Sequence, residues 1–452
     1  LKFKDFNFKK ELLKGIKVAR FRNPSPIQKR VIPIIQDGYD LVAEAETGTG
    51  KTAGFGLPIL DKLAKGKIDR ALIITPTREL ATQISNELFF LGRFCGIRTL
   101  SVYGGVGYGR QVALINRGVD IVVATPGRLK DLYKKGKIDE FNPEVVVLDE
   151  ADEMLDMGFL DDIKDIFEYI PQNRQTLLFS ATIPKEIGEL AREILFEPRF
   201  VSVEKSKALI RQRYCVIDES QRDMAIVKLL EMDGINKCIV FCRTKREVDR
   251  LSKYLQDLGL SARGIHGDLE QLERDEIIKL YRSGAVKIMV ATDVASRGLD
   301  IRGVTHVFNY NIPLDTQSYI HRIGRTGRAG NFGEALTLVS IDELRELERI
   351  RKAVGDELEH MVIKYVNRGI DFKTLERIVE ATDIQDRALE FLDGIDMNRD
   401  EFLERLVTLF LTIDVSQSVY IGYDLESIEN IAEISRNKQK VAQADNRVKK
   451  QY

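Results

Sequence analysis

Val145-Val146-Val147-Leu148-Asp149-Glu150-Ala151-Asp152 sets four consecutive apolar residues directly before three carboxylates. A short unbroken apolar run bounded by polar residues predicts a strand buried on both faces, as in an open parallel sheet. Ligands of such sheets gather at the carboxyl ends of the strands. Adjacent carboxylates at that tip can hold a hydrated Mg²⁺ and orient a water. A second stretch supplies something for the metal to serve: Ala45-Glu46-Thr47-Gly48-Thr49-Gly50-Lys51-Thr52 follows the apolar Leu41-Val42-Ala43 and ends in the Gly-Lys-Thr of a phosphate-binding loop. Gly48 and Gly50 allow close backbone approach, and the helix behind them aims N–H groups at an anion. Lys51 is then expected to neutralise the β and γ phosphates, Thr52 and Asp149 to share Mg²⁺, and Glu150 to act as base or water positioner.

The same strand pattern recurs outward from this pair. Leu41 to Ala43, Ala71 to Ile74, Leu100 to Tyr103, Ile121 to Ala124, Val145 to Leu148 and Thr176 to Phe179 form one series; Lys237 to Phe241, Ala262 to Ile265, Lys287 to Ala291, Thr305 to Phe308 and Ala335 to Val339 form another. Intervening stretches long enough for helices predict two α/β domains, each built on a doubly wound parallel sheet. Val203 to Ala208 lacks a clear period and reads as a linker. The expected division is a first domain over 1–204, a linker over 205–210, a second domain over 211–355 and a helical extension over 356–452. In that extension Asn398 and Glu401 have capping-box spacing. Phe402, Leu403, Leu406, Val407, Phe410 and Leu411 form a wide helical stripe, and Ile428, Ile431 and Ala432 suggest a second amphipathic helix.

Bulk properties agree with several domains. At 452 residues and ~150 per domain, about three are expected. Hydrophobic residues make up 44% and charged ones 31%; with no apolar run long enough to span a bilayer and a charged start, a cytoplasmic protein is expected. Four cysteines in so long a chain argue against a disulfide framework, and Cys238 and Cys242 fall on one face of a strand, where buried packing is a simpler reading than a metal pair. Charge is uneven: residues 356–452 carry 13 basic and 20 acidic side chains, net −7, against a net of +6 before them. A mildly basic front is compatible with a polyanion.

Two further groups complete the chemistry. Pro76-Thr77-Arg78-Glu79-Leu80, Gly104-Gly105 and Thr125-Pro126-Gly127-Arg128 offer hydroxyls, free N–H groups and guanidinium with no aromatic platform. Such a surface grips phosphates and sugars, so little sequence preference is expected. His321-Arg322-Ile323-Gly324-Arg325-Thr326-Gly327-Arg328 places Arg325 and Arg328 in the second domain, where arginine fingers acting across a cleft contribute ~10³–10⁵ in rate.

Together with Ser180-Ala181-Thr182, Gln271 to Arg274, Ala291-Thr292-Asp293, Ser296 to Asp300 and Phe21-Arg22-Asn23-Pro24-Ser25-Pro26-Ile27-Gln28, these motifs resemble the DEAD-box family of ATP-dependent RNA helicases in superfamily 2, over roughly residues 1–350. The resemblance implies two tandem RecA-like domains, ATP and Mg²⁺ as cofactors, and RNA as partner. Carried over, Gln28 reads the adenine edge while Phe21 stacks on the ring, with Phe3 at the upstream aromatic position. Thr47, Gly48, Thr49, Gly50, Lys51 and Thr52 hold the phosphates, and Asp300 reaches the ribose. Ser180, Thr182 and His321 couple the acidic motif to the arginine motif. RNA contacts fall on Pro76, Thr77, Arg78, Gly104, Gly105, Thr125, Pro126 and Arg128 in the first domain, and on Thr244, Arg274 and Thr292 in the second. Tyr281 and Asn311 stand where the family more often has Phe and Asp. The acidic extension resembles the helical dimerisation module of some bacterial relatives, which implies a homodimer; a helical cap folded on the second domain is the alternative. For function, local unwinding by domain closure stands beside a slow-ATPase RNA clamp or assembly platform, and ATPase stimulation by DNA equal to that by RNA would mark a DNA translocase instead.

Overall fold

A computed structural model of the chain describes residues 1–46, 48–203, 209–232, 234–296, 301, 303–327, 331–366 and 418–428. Seven strands, β1 (Leu41–Glu44), β2 (Ala71–Ile74), β3 (Thr99–Val102), β4 (Ile121–Ala124), β5 (Val145–Leu148), β6 (Gln175–Ser180) and β7 (Arg199–Ser202), form the first sheet. Seven more form the second: β8 (Ile210–Ile217), β9 (Cys238–Phe241), β10 (Ala262–Ile265), β11 (Ile288–Ala291), β12 (His306–Asn309), β13 (Gly333–Ser340) and β14 (Leu358–His360). The spatial orders are β3-β4-β2-β5-β6-β1-β7 and β10-β11-β9-β12-β13-β8-β14, one topology used twice. Every pairing within both sheets is parallel.

Alternation along the strands explains the two-sided cover. Ala71, Ile73, Val145 and Val147 pack into one hydrophobic cluster of the first sheet, and Leu72, Ile74, Val146 and Leu148 into another. In the second sheet Cys238 and Val240 face one cluster and Ile239 and Phe241 the opposite one. Cys242 joins the cluster of Cys238, so these cysteines serve as small buried side chains, and burial pushes both thiols upward. A strand apolar on both faces, covered by helices on both, is the physical requirement of an all-parallel sheet.

Five strands fall outside the sequence expectation. β7 has one buried residue, Val201, and β8 begins Ile-Arg-Gln-Arg, so neither shows a continuous apolar run. Past residue 355 the described residues are mostly strand where helix was expected: β14 pairs with β8, and β15 (Ile363–Val366) pairs antiparallel with β16 (Ser418–Ile421), while residues 425–428 form a helical turn that includes Ile428. The β-branched Val362, Ile363 and Val366 around Tyr365 favour an extended backbone over helix. Ile363 and Ile421 are buried in the second lobe's core, and Tyr423 donates through its hydroxyl to Asp218 at 2.8 Å. These parts of the extension therefore pack on the second lobe. The stripe over 402–411 and the stretch around Ile431 lie outside the described residues. Among the described residues no helix is long and apolar enough to cross a membrane.

Candidate functional site between two lobes

Because the strands run parallel and in register, their carboxyl ends line up. Glu44 lies opposite Ser180, and Ile74 lies opposite both Ala124 and Leu148. The sequence motifs that follow these strands therefore emerge along one rim of the first lobe.

At the end of β1 the loop turns into the helix Lys51–Ala64, with Gly50 at the N-cap in the left-handed region, φ 91°. A Cβ at Gly50 would stand 2.5 Å from Gln28 Nε2, so glycine is required there both for backbone and for space. Gln28 Nε2 donates to the Gly50 carbonyl at 3.0 Å, and Gln28 Oε1 accepts the Ser25 N–H at 3.0 Å. One amide hydrogen and one lone pair of Gln28 remain for a ligand. Phe21 is half-buried, its ring 6.1 Å from that of Phe3. Thr47 lies outside the described residues.

Lys51 is 6% exposed, and its Nζ has no hydrogen-bond partner among the described residues. Asp149 and Glu150, at the end of β5, are 3% and 8% exposed. Burial raises both carboxyls, Glu150 to about 7, while the Lys51 charge opposes the shift. Glu150 also sits at φ 57°, left-handed backbone that a non-glycine residue rarely adopts. A buried ammonium without a partner, raised carboxyls and a glycine loop at a helix N-terminus together fit an anionic phosphate ligand with its cation. Gly48 leaves open space on its Cβ side.

The acidic turn is wired to β6. Asp152 N–H donates to Ser180 Oγ at 3.1 Å, and Asp152 Oδ2 accepts from Thr182 N at 3.0 Å and Thr182 Oγ1 at 3.1 Å. From the second lobe His321 Nδ1 reaches Glu153 Oε1 at 2.8 Å. Contact with Glu153 raises the imidazole, against a larger burial contribution that acts the other way. Arg325 lies within electrostatic reach of Glu150 and lowers its pKa. Arg328 and Asp300 lie outside the described residues. Arg322, the first arginine of the motif, is structural: buried, it pairs with Asp293 at 2.5 and 2.8 Å and donates to the Asn311 carbonyl at 2.8 Å.

Along the same rim Thr77 caps the helix Arg78–Gly92 by accepting the Leu80 N–H at 3.2 Å. The Arg78 guanidinium lies against Gly105, where a Cβ would meet it at 2.3 Å. Two residues expected to touch RNA also span the lobes: Arg78 Nη1 donates to Gln271 Oε1 at 3.1 Å, and Arg274 is ion-paired with Glu79. Thr125 and Pro126 open the helix Pro126–Lys134, and Arg128 donates to Gln111 Oε1 at 3.2 Å and the Val106 carbonyl at 2.9 Å. Across the cleft Thr244 caps its helix through Glu247, and Thr292 is half-buried at the end of β11. An aromatic stands just beyond these segments: Tyr108, three residues past Gly105, is 39% exposed beside Arg128 and Lys135. It lies beyond the strand-tip segments, which is why their composition hid it. Glu79 and Asp293 were equally unmarked by spacing, since their partners are distant in sequence.

Two parallel-sheet lobes that set a buried lysine, without a hydrogen bond among the described residues, and buried carboxylates against an arginine of the other lobe define a two-lobed nucleoside triphosphatase. Comparison with known proteins narrows the class. A DEAD/DEAH box helicase model matches residues 25–190, and a helicase conserved C-terminal domain model matches residues 221–330. The chain is 48% identical over 376 residues to the DEAD-box ATP-dependent RNA helicase RhpA of Helicobacter pylori, covering 82% of this chain and 76% of that protein. With the DEAD-box ATP-dependent RNA helicase CshA of Geobacillus kaustophilus it shares 43% over 364 residues, 79% of this chain and 78% of the relative. The structure of S. cerevisiae Dbp5 bound to RNA and ADP BeF3 superposes with a TM-score of 0.73 at 30% identity, covering 84% of this chain and 98% of the other. The chain belongs to the DEAD-box family of ATP-dependent RNA helicases.

Proposed function

We propose that the chain separates short RNA duplexes locally, by ATP-driven closure of its two lobes on one strand. The observation that carries this reading is the meeting of unlike groups: Lys51, its Nζ without a hydrogen bond among the described residues, and raised Glu150 in one lobe, Arg325 within electrostatic reach in the other. Glu150 positions and deprotonates the attacking water, Lys51 holds the terminal phosphates, and Arg325 with Arg328 balances charge that develops on the transferred phosphoryl group. Thr52 and Asp149 are the residues that would hold Mg²⁺, which when bound supplies positive charge to the β and γ phosphates. Gln28 reads adenine with its spare donor and acceptor, Phe21 supports the ring, Thr47 joins the phosphate loop, and Asp300 reaches the ribose.

Closure is read out through the contacts that cross the cleft. His321–Glu153, Arg78–Gln271 and Arg274–Glu79 form only when the strand tips oppose one another. RNA lies along Thr77, Arg78, Gly105, Thr125 and Arg128, held by backbone and guanidinium contacts with phosphate, and Thr244 and Thr292 continue the track. Since ATP and RNA draw on the same closure, each tightens binding of the other by the same factor. The acidic segment within 356–452 serves a protein contact, a second copy of this chain foremost, because its net charge of −7 disfavours RNA.

Replacing Glu150 by Gln is expected to abolish turnover while leaving ATP and RNA binding in place. Steady ATPase activity in that variant would refute the assignment. Displacement of a short duplex, assayed with the full chain, separates unwinding from a clamp, which would hold RNA persistently with negligible displacement.

A further inference from the structure

We infer that Tyr108 stacks on one nucleobase at the first lobe's end of the RNA track, adding a base contact to a surface otherwise built for phosphate. The inference rests on the RNA-binding reading above. Tyr108 is the N-cap position of the helix Gly109–Asn116, placed there by the turn that follows Gly104-Gly105 at the end of β3. The residue is 39% exposed, and no cluster of the first lobe's core includes it.

What surrounds the ring argues for nucleic acid over simple packing. Arg128 Cζ lies 5.9 Å and Lys135 Nζ 5.5 Å from the ring centroid. These are outer-limit cation–π distances at an exposed site, worth too little to explain an aromatic left open to water. The guanidinium is held from behind by Gln111 and the Val106 carbonyl, so its position is fixed without the ring. An open aromatic face flanked by two cations is the pattern that binds single strands: the cations take the phosphate and the ring takes the base. Because every base has a π-face, the contact is tolerant of sequence, yet it distinguishes a strand with bases from one without.

The test uses the full chain with Mg²⁺ and a non-hydrolysable ATP analogue, and fluorescence anisotropy with two probes of equal length: a single-stranded RNA and an abasic ribose-phosphate strand. Tyr108→Ala is expected to weaken RNA binding roughly 5- to 150-fold, the range for one lost base–aromatic stack, and to leave the abasic strand unaffected. Tyr108→Phe keeps the wild-type preference. The salt dependence sharpens the result, because Tyr108→Ala leaves the slope of log affinity against log salt unchanged, whereas Arg128→Ala shallows it by roughly 0.7. Equal losses for both probes, or no loss in Tyr108→Ala, overturn the stacking role while leaving the helicase reading intact. Failure of the wild-type chain to bind either probe overturns the helicase reading and this inference with it.

Discussion

The two lobes share one strand order but differ in what they do with a buried cation at the equivalent place. After β1 in the first lobe comes Lys51, buried, facing two carboxyls that burial raises, its Nζ without a hydrogen bond among the described residues. After β8, the matching strand of the second lobe, comes Arg222, 1% exposed and saturated. It donates to Glu219 at 2.9 and 2.6 Å and to Glu343 at 3.0 Å, and also to the Tyr310 carbonyl beyond β12. The end of β12 carries Tyr310 and Asn311 where β5 carries Asp149 and Glu150. One copy of the fold keeps a frustrated cation for a ligand; the other has spent the same position on its own stability. The contrast teaches that a shared scaffold sets where a charge stands, while its partners decide whether that charge is available for chemistry.

The largest expected effect tests which arginines of the second lobe act outward. Arg325→Ala should lower kcat for RNA-stimulated ATP hydrolysis by ~10³–10⁵-fold with little change in melting temperature, measured by steady-state kinetics and calorimetry. An intact kcat would mean that the second lobe lends no charge through this residue. The comparison itself breaks or holds on a second pair. Arg222→Met should cost roughly 3 kcal/mol of stability, the low end for a broken buried pair because Glu343 keeps Arg243 at 2.8 Å. Lys51→Met should leave the melting temperature unchanged or raised while ATPase activity disappears. Equal destabilisation by both would erase the distinction.

The smallest effect reads the raised carboxyl directly. Glu150 has a folded pKa of about 7 against an ordinary 4.5, so the fold favours its protonated form. That contribution to stability is complete below pH 4.5 and is lost as pH rises through 7. Glu150→Gln, which carries no charge, should therefore match the wild type near pH 4 and exceed it at pH 8, by roughly 1–3 kcal/mol. A gain at pH 4 as large as at pH 8 would assign the stabilisation to something other than ionisation. In the wild type kcat/KM for ATP should fall below pH 7 as the base takes up its proton.

Much of this was legible from residues alone, for a definite physical reason. Strands buried on both faces must be apolar throughout, so Val145 to Leu148 announces itself, and the parallel sheet then dictates that Asp149, Thr77, Gly105 and Thr125 share a rim. Edge strands carry no such constraint: β7 needs only Val201 inside, and β14 is three residues long. Partners far apart in sequence were equally hidden. Nothing in the spacing of Arg274 points to Glu79, 195 positions away, and nothing in Arg222 points to Glu343, 121 positions away. Residue type alone does not separate Arg322 from Arg325; the buried Asp293 pair shows that Arg322 serves the second lobe from within.

The left-handed backbone at Glu150 has an evolutionary corollary. Glycine and asparagine tolerate that conformation more easily than glutamate does, and neither would leave a raised acid buried beside Asp149. A laboratory selection for heat resistance alone should therefore drift toward either residue at this site, yielding sturdier molecules that no longer turn over. Robustness and activity compete here at a single codon, so a screen for hardier forms of this chain must score hydrolysis alongside survival.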